Sequence, residues 1–452
     1  MTVIDSGRRV RVLRPGDEAW DTARLAWNLS ADQQPEAIVY AESAAEAAAA
    51  VEVARAEDLR VAVQGTGHGA TSMGSLEGTL LLRTDKLRSI TIDAQAGTAR
   101  VGAGVLWIEV VEAAARYGLA PLAGSSPDVG VVGYTLGGGL SWLGRKHGLA
   151  AHALVAAEVV TADGDVIRAD ENQNTDLLWA LRGGGGNYAA VTEVEIRLFP
   201  HDEVYAGILW FPFERAAEVL HAWAELTRNG LPDELTTVGR LLQLPPLPDI
   251  PEPVRGKSFV IVEAIYSGRE TTEADRLLEP LRALGPVMDT VGPISLPELS
   301  RLHMDPEHPV PGVGDGAMLA ELPVEAVDAF LAAAGPGSGS RLLSVELRQL
   351  GGALGRPRPE HAALPAVDAA YAMYAVGIGG APEMAAASEF AVGGVKAALE
   401  PWLASHMVPN FAETRRDPRA FWPGETYDRL VQVKEAYDPE NVFRSNHPLF
   451  GG

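Results

Sequence analysis

The chain of 452 residues contains no cysteine. That excludes disulfides, thiolate catalysis and thiolate-bound metals, and it removes any argument for an oxidising compartment. Basic residues are scarce: 37 Lys and Arg stand against 60 Asp and Glu, a formal net charge of −23. Binding to nucleic acid needs a basic surface to neutralise phosphates, so that role is excluded. The acidity is spread along the chain without a long run of one sign, as on a solvated surface. No uninterrupted apolar run reaches membrane-spanning length, because Gly, Asp or Arg breaks the best ones. Residues 1–12 alternate charged and apolar side chains and hold no apolar h-region, which predicts no signal peptide and a cytoplasmic protein.

What is present is enough for well-filled cores. Apolar residues make up 47% of a chain too long for one compact core, so two domains are expected. Ala37–Tyr40 and Arg60–Gln64 read as strands around an alanine-rich helix, 44–55. Ser43 and Glu46 form its capping-box pattern. Strands are expected at 79–82, 90–92 and 99–101, and a helix at 106–117 that Gly118 ends. Residues 153–169 read as a hairpin turning at Asp163-Gly164, and 190–198 alternate as a strand. Beyond Pro200 the composition changes. A helix at 213–227, a proline-stiffened loop at 244–253, a strand at 261–266, a helix at 270–284 and strands at 344–350 and 372–377 predict one antiparallel sheet with flanking helices. The tail, 427–443, reads as helical. The expected boundaries are 1–204, 205–405 and 406–452, the last segment returning to the first domain.

Three glycine clusters stand out. The first, Gln64-Gly65-Thr66-Gly67-His68-Gly69, follows a strand and sets one histidine among three glycines. Glycines let backbone N–H groups crowd a phosphate with no Cβ in the way, which points to a phosphate-bearing cofactor and a nucleophilic side chain in one loop. The second runs from Gly124 to Gly139 and includes Ser126, Val129, Gly130, Gly133, Tyr134, Leu136, Gly137 and Gly138. Six glycines in its sixteen residues would destabilise a regular element unless something approaches the backbone closely. The third is Arg182-Gly183-Gly184-Gly185-Gly186-Asn187. Neither the first nor the second is a Walker loop, since no Gly-Lys-Ser/Thr follows, and neither is a good Rossmann fingerprint.

In this order and spacing the clusters resemble the vanillyl-alcohol oxidase and p-cresol methylhydroxylase superfamily. Within it they are similar to the berberine-bridge-enzyme-like flavin oxidases, over about residues 30–200. Tyr437-Asp438-Pro439-Glu440-Asn441-Val442-Phe443-Arg444-Ser445-Asn446 is a further family-like stretch, and Glu346–Gly352 and Pro409-Asn410-Phe411 are fainter ones. The resemblance implies an α+β protein: a two-subdomain FAD-binding fold of that type plus an antiparallel-sheet substrate domain with flanking helices. It implies FAD as cofactor, linked covalently through His68. Gln64 to Gly69 would wrap the pyrophosphate. Gly133 to Gly139 would line the other side. Gly186, Asn187 and Val191 would meet the adenine half or the ring edge, and Asn446 would lie near the ring. Ser126 stands where many relatives carry a second, cysteinyl attachment, so one histidyl link is the most this chain can form. Relatives often carry Tyr-x-Asn-Tyr where this chain has Val408-Pro409-Asn410-Phe411. That excludes a tyrosinate from that motif and leaves Asn410 to bond flavin or substrate.

The chemistry implied is hydride transfer from a small organic substrate (an alcohol, amine or sugar) to the flavin. Dioxygen is the expected acceptor, giving hydrogen peroxide, and Val129 is of the size the family associates with oxidases. A dehydrogenase using another acceptor and a flavin-binding module without catalysis are the alternatives. If a base is needed, Tyr374 is the candidate, since Tyr371 and Tyr374 differ in strand parity and only one can face a pocket. Glu346 and Arg348 share parity and face either a polar substrate or solvent. His303 and His308 flank a run of Pro and acids that reads as a surface loop, so no metal site is expected there.

Overall fold

The structure, a computed structural model, describes residues 2–3, 9–248, 250 and 252–450. Three large sheets organise the described residues. The first has the order Phe443–Arg444, Arg60–Gln64, Thr79–Arg83, Ala37–Tyr40, Val12–Leu13. Its pairs are parallel except the last. Parallel neighbours need a crossover, and the helix Ala44–Ala56 supplies one. Ser43 caps it by accepting from the Glu46 N–H, while Glu46 reaches back to the Glu42 N–H at 2.8 Å. Its seven buried residues are alanines and valines. Their small size lets the helix pack on strands of both the first and the second sheet.

The second sheet is antiparallel in the order Val166–Ala169, Leu154–Val160, Ala190–Arg197, Thr98–Gly102, Ile90–Asp93. The third is the largest. It runs Met288–Asp289, Glu203–Pro212, Ser258–Tyr266, Leu235–Gln243, Ser344–Gln349, Tyr371–Ile378, Gly312–Leu319, all antiparallel, with Gly292–Ser295 beside Glu203–Pro212. Helices Ala216–Arg228, Thr271–Arg282, Val324–Ala334 and Pro382–Ala398 cover one face, burying Leu220, Trp223, Leu278, Phe330 and Val395 against it. The other face looks toward the glycine clusters.

The register of that open face decides what the cavity meets. Arg240 pairs with Glu346, Glu346 with Tyr374, and Tyr374 with Gly316, giving one transverse row. The next row is Leu242, Ser344, Val376 and Gly314. Side chains alternate along a strand, so Gly312, Gly314 and Gly316 leave the edge strand bare on this face. A Cβ on Gly314 would come within 2.7 Å of the Tyr374 hydroxyl oxygen, and one on Gly316 would collide with Phe411.

The structure corrects three expectations. The tail helix is Glu425–Tyr437, and Phe443–Arg444 is a strand of the first sheet. Asp438 precedes Pro439, which disfavours helix, and its carboxylate accepts from the Val442 and Phe443 N–H groups. His303 is not on a surface loop. It is buried, next to Met304 with its positive φ of 60°, while His308 is exposed at the rim of the cavity. The strand Gly312–Leu319 went unforeseen, since its alternate glycines mask the apolar period.

Candidate active site

A cavity of about 960 Å³ lies between the glycine clusters and the open face of the third sheet. The first loop leaves the strand Arg60–Gln64 and turns at Gly67, whose φ is +85°. A Cβ there would press on Ala26 at 2.8 Å. His68 is held on both sides. Its ring stacks on Trp27 with centroids 4.0 Å apart, and its Nδ1 lies 2.8 Å from the Thr66 hydroxyl. Its Nε2 lies 3.4 Å from an Asp128 oxygen, while Trp27 Nε1 donates to the other.

The structure brings most of the expected residues to this cavity. Gln64, Gly65, Thr66, Gly67, His68, Gly69, Ser126, Val129, Gly130, Gly133, Tyr134, Leu136, Gly137, Gly186, Asn187, Val191, Tyr374, Asn410 and Asn446 all line it. Two do not. Gly138 and Gly139 sit behind its wall, where a Cβ would meet Leu364 and Val408, or Tyr134 and Ala150. Their positive φ values, +107° and +73°, make the turn that follows the short helix Val131–Leu136. Asn410 is committed to this turn. Its Oδ1 accepts from the Gly139 N–H at 2.9 Å, so it braces the glycines. Asn187 is likewise spent: it donates to the Gly184 and His447 carbonyls and accepts from Ser445. Asn446 donates to the Gly69 carbonyl and to Ser72, tying the C-terminal return to the histidine loop. Ser126 donates to Asp305 across the two halves of the cavity.

The residues fit a flavin dinucleotide. Positions where a Cβ from Gly133 or Gly186 would project hold no atom within 4 Å, so backbone is open to a ligand there. Gln64 Nε2 is buried without a partner among the described residues, beside the histidine loop, as a donor awaiting an acceptor would be.

The sheet side presents the titratable groups. The Tyr374 phenol donates to Glu413 Oε1 at 3.2 Å, and Thr71 donates to Glu413 Oε2 at 2.8 Å. Burial pushes the Glu413 carboxyl up to about 7, against the two hydrogen bonds that favour its charge. Burial, with Glu413 beside it, drives the Tyr374 phenol well above its ordinary range. Next to them runs an ionic row. Arg240 meets Glu263 at 3.2 Å, His303 Nδ1 lies 2.9 Å from Glu263 and its Nε2 3.0 Å from Glu346, and Arg348 donates to Glu346 at 3.1 Å. Desolvation and Arg240 pull the His303 imidazole down, but Glu263, Asp305 and Glu346 outweigh them and hold it at about 9. Burial alone would raise Glu346, yet Arg348, His303 and Arg240 keep it below the usual carboxylate range. The ligand atoms of Glu263, His303 and Glu346 lie within 4.8 Å of one another, but two guanidinium groups already supply the positive charge a metal would bring. Glu413 and Asp128 carried no sequence signal of their own. Glu413 follows Asn410-Phe411, and Asp128 lies inside the second cluster.

The fold and the three glycine clusters around one cavity define an FAD-linked oxidoreductase of the berberine-bridge-enzyme-like type, and comparison with known proteins agrees. Residues 35–170 match the family described as FAD binding domain, and residues 409–449 match the family described as Berberine and berberine like. The chain is 30% identical to (R)-6-hydroxynicotine oxidase of Paenarthrobacter nicotinovorans over 97% of its own length and 96% of that protein's. It superposes on the crystal structure of 6-hydroxy-D-nicotine oxidase from Arthrobacter nicotinovorans with a TM-score of 0.82 at 27% identity, covering 96% of each chain. Its likeness to the glucooligosaccharide oxidase of Sarocladium strictum, 33% identity, covers only 48% of this chain and 45% of that one. The chain belongs to this family of FAD-linked oxidoreductases. Among the described residues no helix is long and apolar enough to cross a membrane.

Proposed function

We propose that the protein is an oxidase of a small, mainly apolar alcohol or amine, with FAD attached through His68 and dioxygen as electron acceptor. The observation that carries this is the Tyr374–Glu413 pair on the wall facing the glycine loops. Bound FAD supplies the acceptor for a hydride and returns the electrons to dioxygen. The chain's part is to place the substrate and take its proton. The substrate hydroxyl or amine would give its proton to the Tyr374 oxygen as that phenol passes its own to the Glu413 carboxylate. A tyrosinate is never needed, which suits a phenol whose ionisation is so strongly opposed. The pair stands in for the phenols missing at Val408 and Phe411. Tyr374 packs edge-on to the Phe411 ring, with centroids 6.0 Å apart.

Substrate size and polarity follow from the rest of the wall. Leu242, Leu343, Val376 and Ile378 line the cavity beyond the ionic row and offer apolar surface to a substrate. The sequence likeness to an oxidase named for 6-hydroxynicotine runs nearly full length and supports an amine, while the sequence match to the glucooligosaccharide oxidase extends over about half of each chain.

The test is anaerobic mixing of the purified protein with a panel of apolar amines, alcohols and oligosaccharides while flavin colour is followed, then admission of air. An amine or alcohol should bleach the flavin, and air should restore it with release of peroxide. Tyr374→Phe should keep its colour and bleach about 10²-fold more slowly. Bleaching by no member of the panel, or equal bleaching in the variant, would refute the reading. Bleached flavin that stays reduced in air would assign the electrons to another acceptor. Colour that washes out of the acid-precipitated wild type, or stays in the precipitate of His68→Ala, would refute the attachment at His68.

A further inference from the structure

Asp128 takes no part in the proton path above, yet it is built into the histidine loop. One of its oxygens accepts from Trp27 Nε1, and the other lies 3.4 Å from His68 Nε2. Both atoms of that second contact are buried and make no hydrogen bond among the described residues. Trp27 does two jobs, since its ring also stacks on the imidazole at 4.0 Å with the planes 18° apart. The tryptophan thus fixes the histidine ring and the carboxylate relative to each other. With Nε2 enclosed against Asp128, Nδ1 is the nitrogen that can meet a ligand, its only partner among the described residues being the rotatable Thr66 hydroxyl.

We infer that Asp128 is the positioning group and proton acceptor for attachment of the flavin at His68 Nδ1. This rests on the histidyl link proposed above. By holding the proton on Nε2, the carboxylate leaves the lone pair on Nδ1. In the attachment, Nδ1 bonds the 8α carbon of the flavin, that methyl group gives up one hydrogen as a proton, and Asp128 takes the proton from Nε2. The two electrons left behind enter the flavin ring and pass to dioxygen, which takes up two protons and leaves as hydrogen peroxide. Asp128 is thereby a residue of cofactor maturation, separate from the groups that handle substrate.

The test uses the full chain, prepared free of flavin and given FAD under air, with the flavin retained in the acid precipitate measured against time. Wild type should attach its flavin. Asp128→Asn should bind FAD but attach it about 10²-fold more slowly, and Asp128→Glu should recover part of the rate. Trp27→Phe keeps the stacked ring and removes only the N–H that orients Asp128, and should slow attachment about tenfold. Should Asp128→Asn fail to fold, Trp27→Phe decides alone. Attachment at the wild-type rate in the folded variants overturns the role of Asp128 and leaves the histidyl link standing. Wild-type flavin that is released entirely into the acid supernatant overturns both.

Discussion

The Tyr374 hydroxyl is 3.2 Å from the Glu413 carboxylate, although the two residues come from the strand next to the edge and from the loop that wraps the edge of the same sheet. Asp315 holds that loop. It accepts from the Glu413 N–H and pairs with Lys396 and Arg416. The carboxyl of Glu413, pushed up to about 7, accepts a proton only when ionised. The rate of flavin reduction should therefore rise with pH through about 7 and level off above it. Glu413→Gln should lose that rise together with about 10²-fold in rate, as read by stopped-flow bleaching from pH 5 to about 9.

The same carboxyl bears on stability with a definite sign. Its pKa is raised on folding from 4.5 to about 7, so the unfolded chain is the better home for its charge. Its contribution is complete below 4.5 and is lost as pH rises through 7. Glu413→Gln should therefore be more stable than wild type at pH 8, by about 3 kcal/mol, and indistinguishable at pH 4. Thermal melts at the two pH values check this.

Four histidines behave oppositely. Burial above all holds His147, His152, His201 and His447 down to about 4, from an ordinary 6.5. Each is neutral when folded and gains a proton more readily when unfolded. Stability should fall as pH drops from 6.5 toward 4, with melting temperature the readout. His303, held at about 9, stabilises most below 6.5 and contributes less as pH climbs through 9.

Gly314 keeps the space beside the tyrosine. Gly314→Ala would bring its methyl to within 2.7 Å of the Tyr374 oxygen and displace the phenol. Flavin content should be unchanged while the bleaching rate falls about tenfold or more, since small misplacements of a reacting group cost that much.

Lys434 and Asp438 form a buried pair at the C-terminal end of the helix Glu425–Tyr437, and Lys434 also donates to the Asn187 carbonyl at 2.7 Å. Lys434→Met would strand the carboxylate and should cost about 3–5 kcal/mol in denaturant unfolding.

The glycine wall of this cavity was legible and the sheet wall was less so, for a physical reason. Gly67, Gly133 and Gly186 mark themselves, because close approach to backbone permits only one residue type. Ser43 and Glu46 announce their helix in the same local way. Glu413, Asp128 and His303 act through partners 39, 101 and 40 positions away, and no local pattern records such a pairing. The parity of Tyr371 and Tyr374 did separate them. Tyr374 faces the cavity, whereas Tyr371 bonds to Thr227 on the opposite side.

The parallel pairing of Phe443–Arg444 with Val61-Ala62, and the reach of Asn446 to Gly69, have a consequence for biosynthesis. The histidine loop leaves the ribosome early, but the strand that braces it is translated some 380 residues later. Loading of the cofactor must therefore wait until position 443 has been translated, and a nascent chain arrested short of it should emerge colourless.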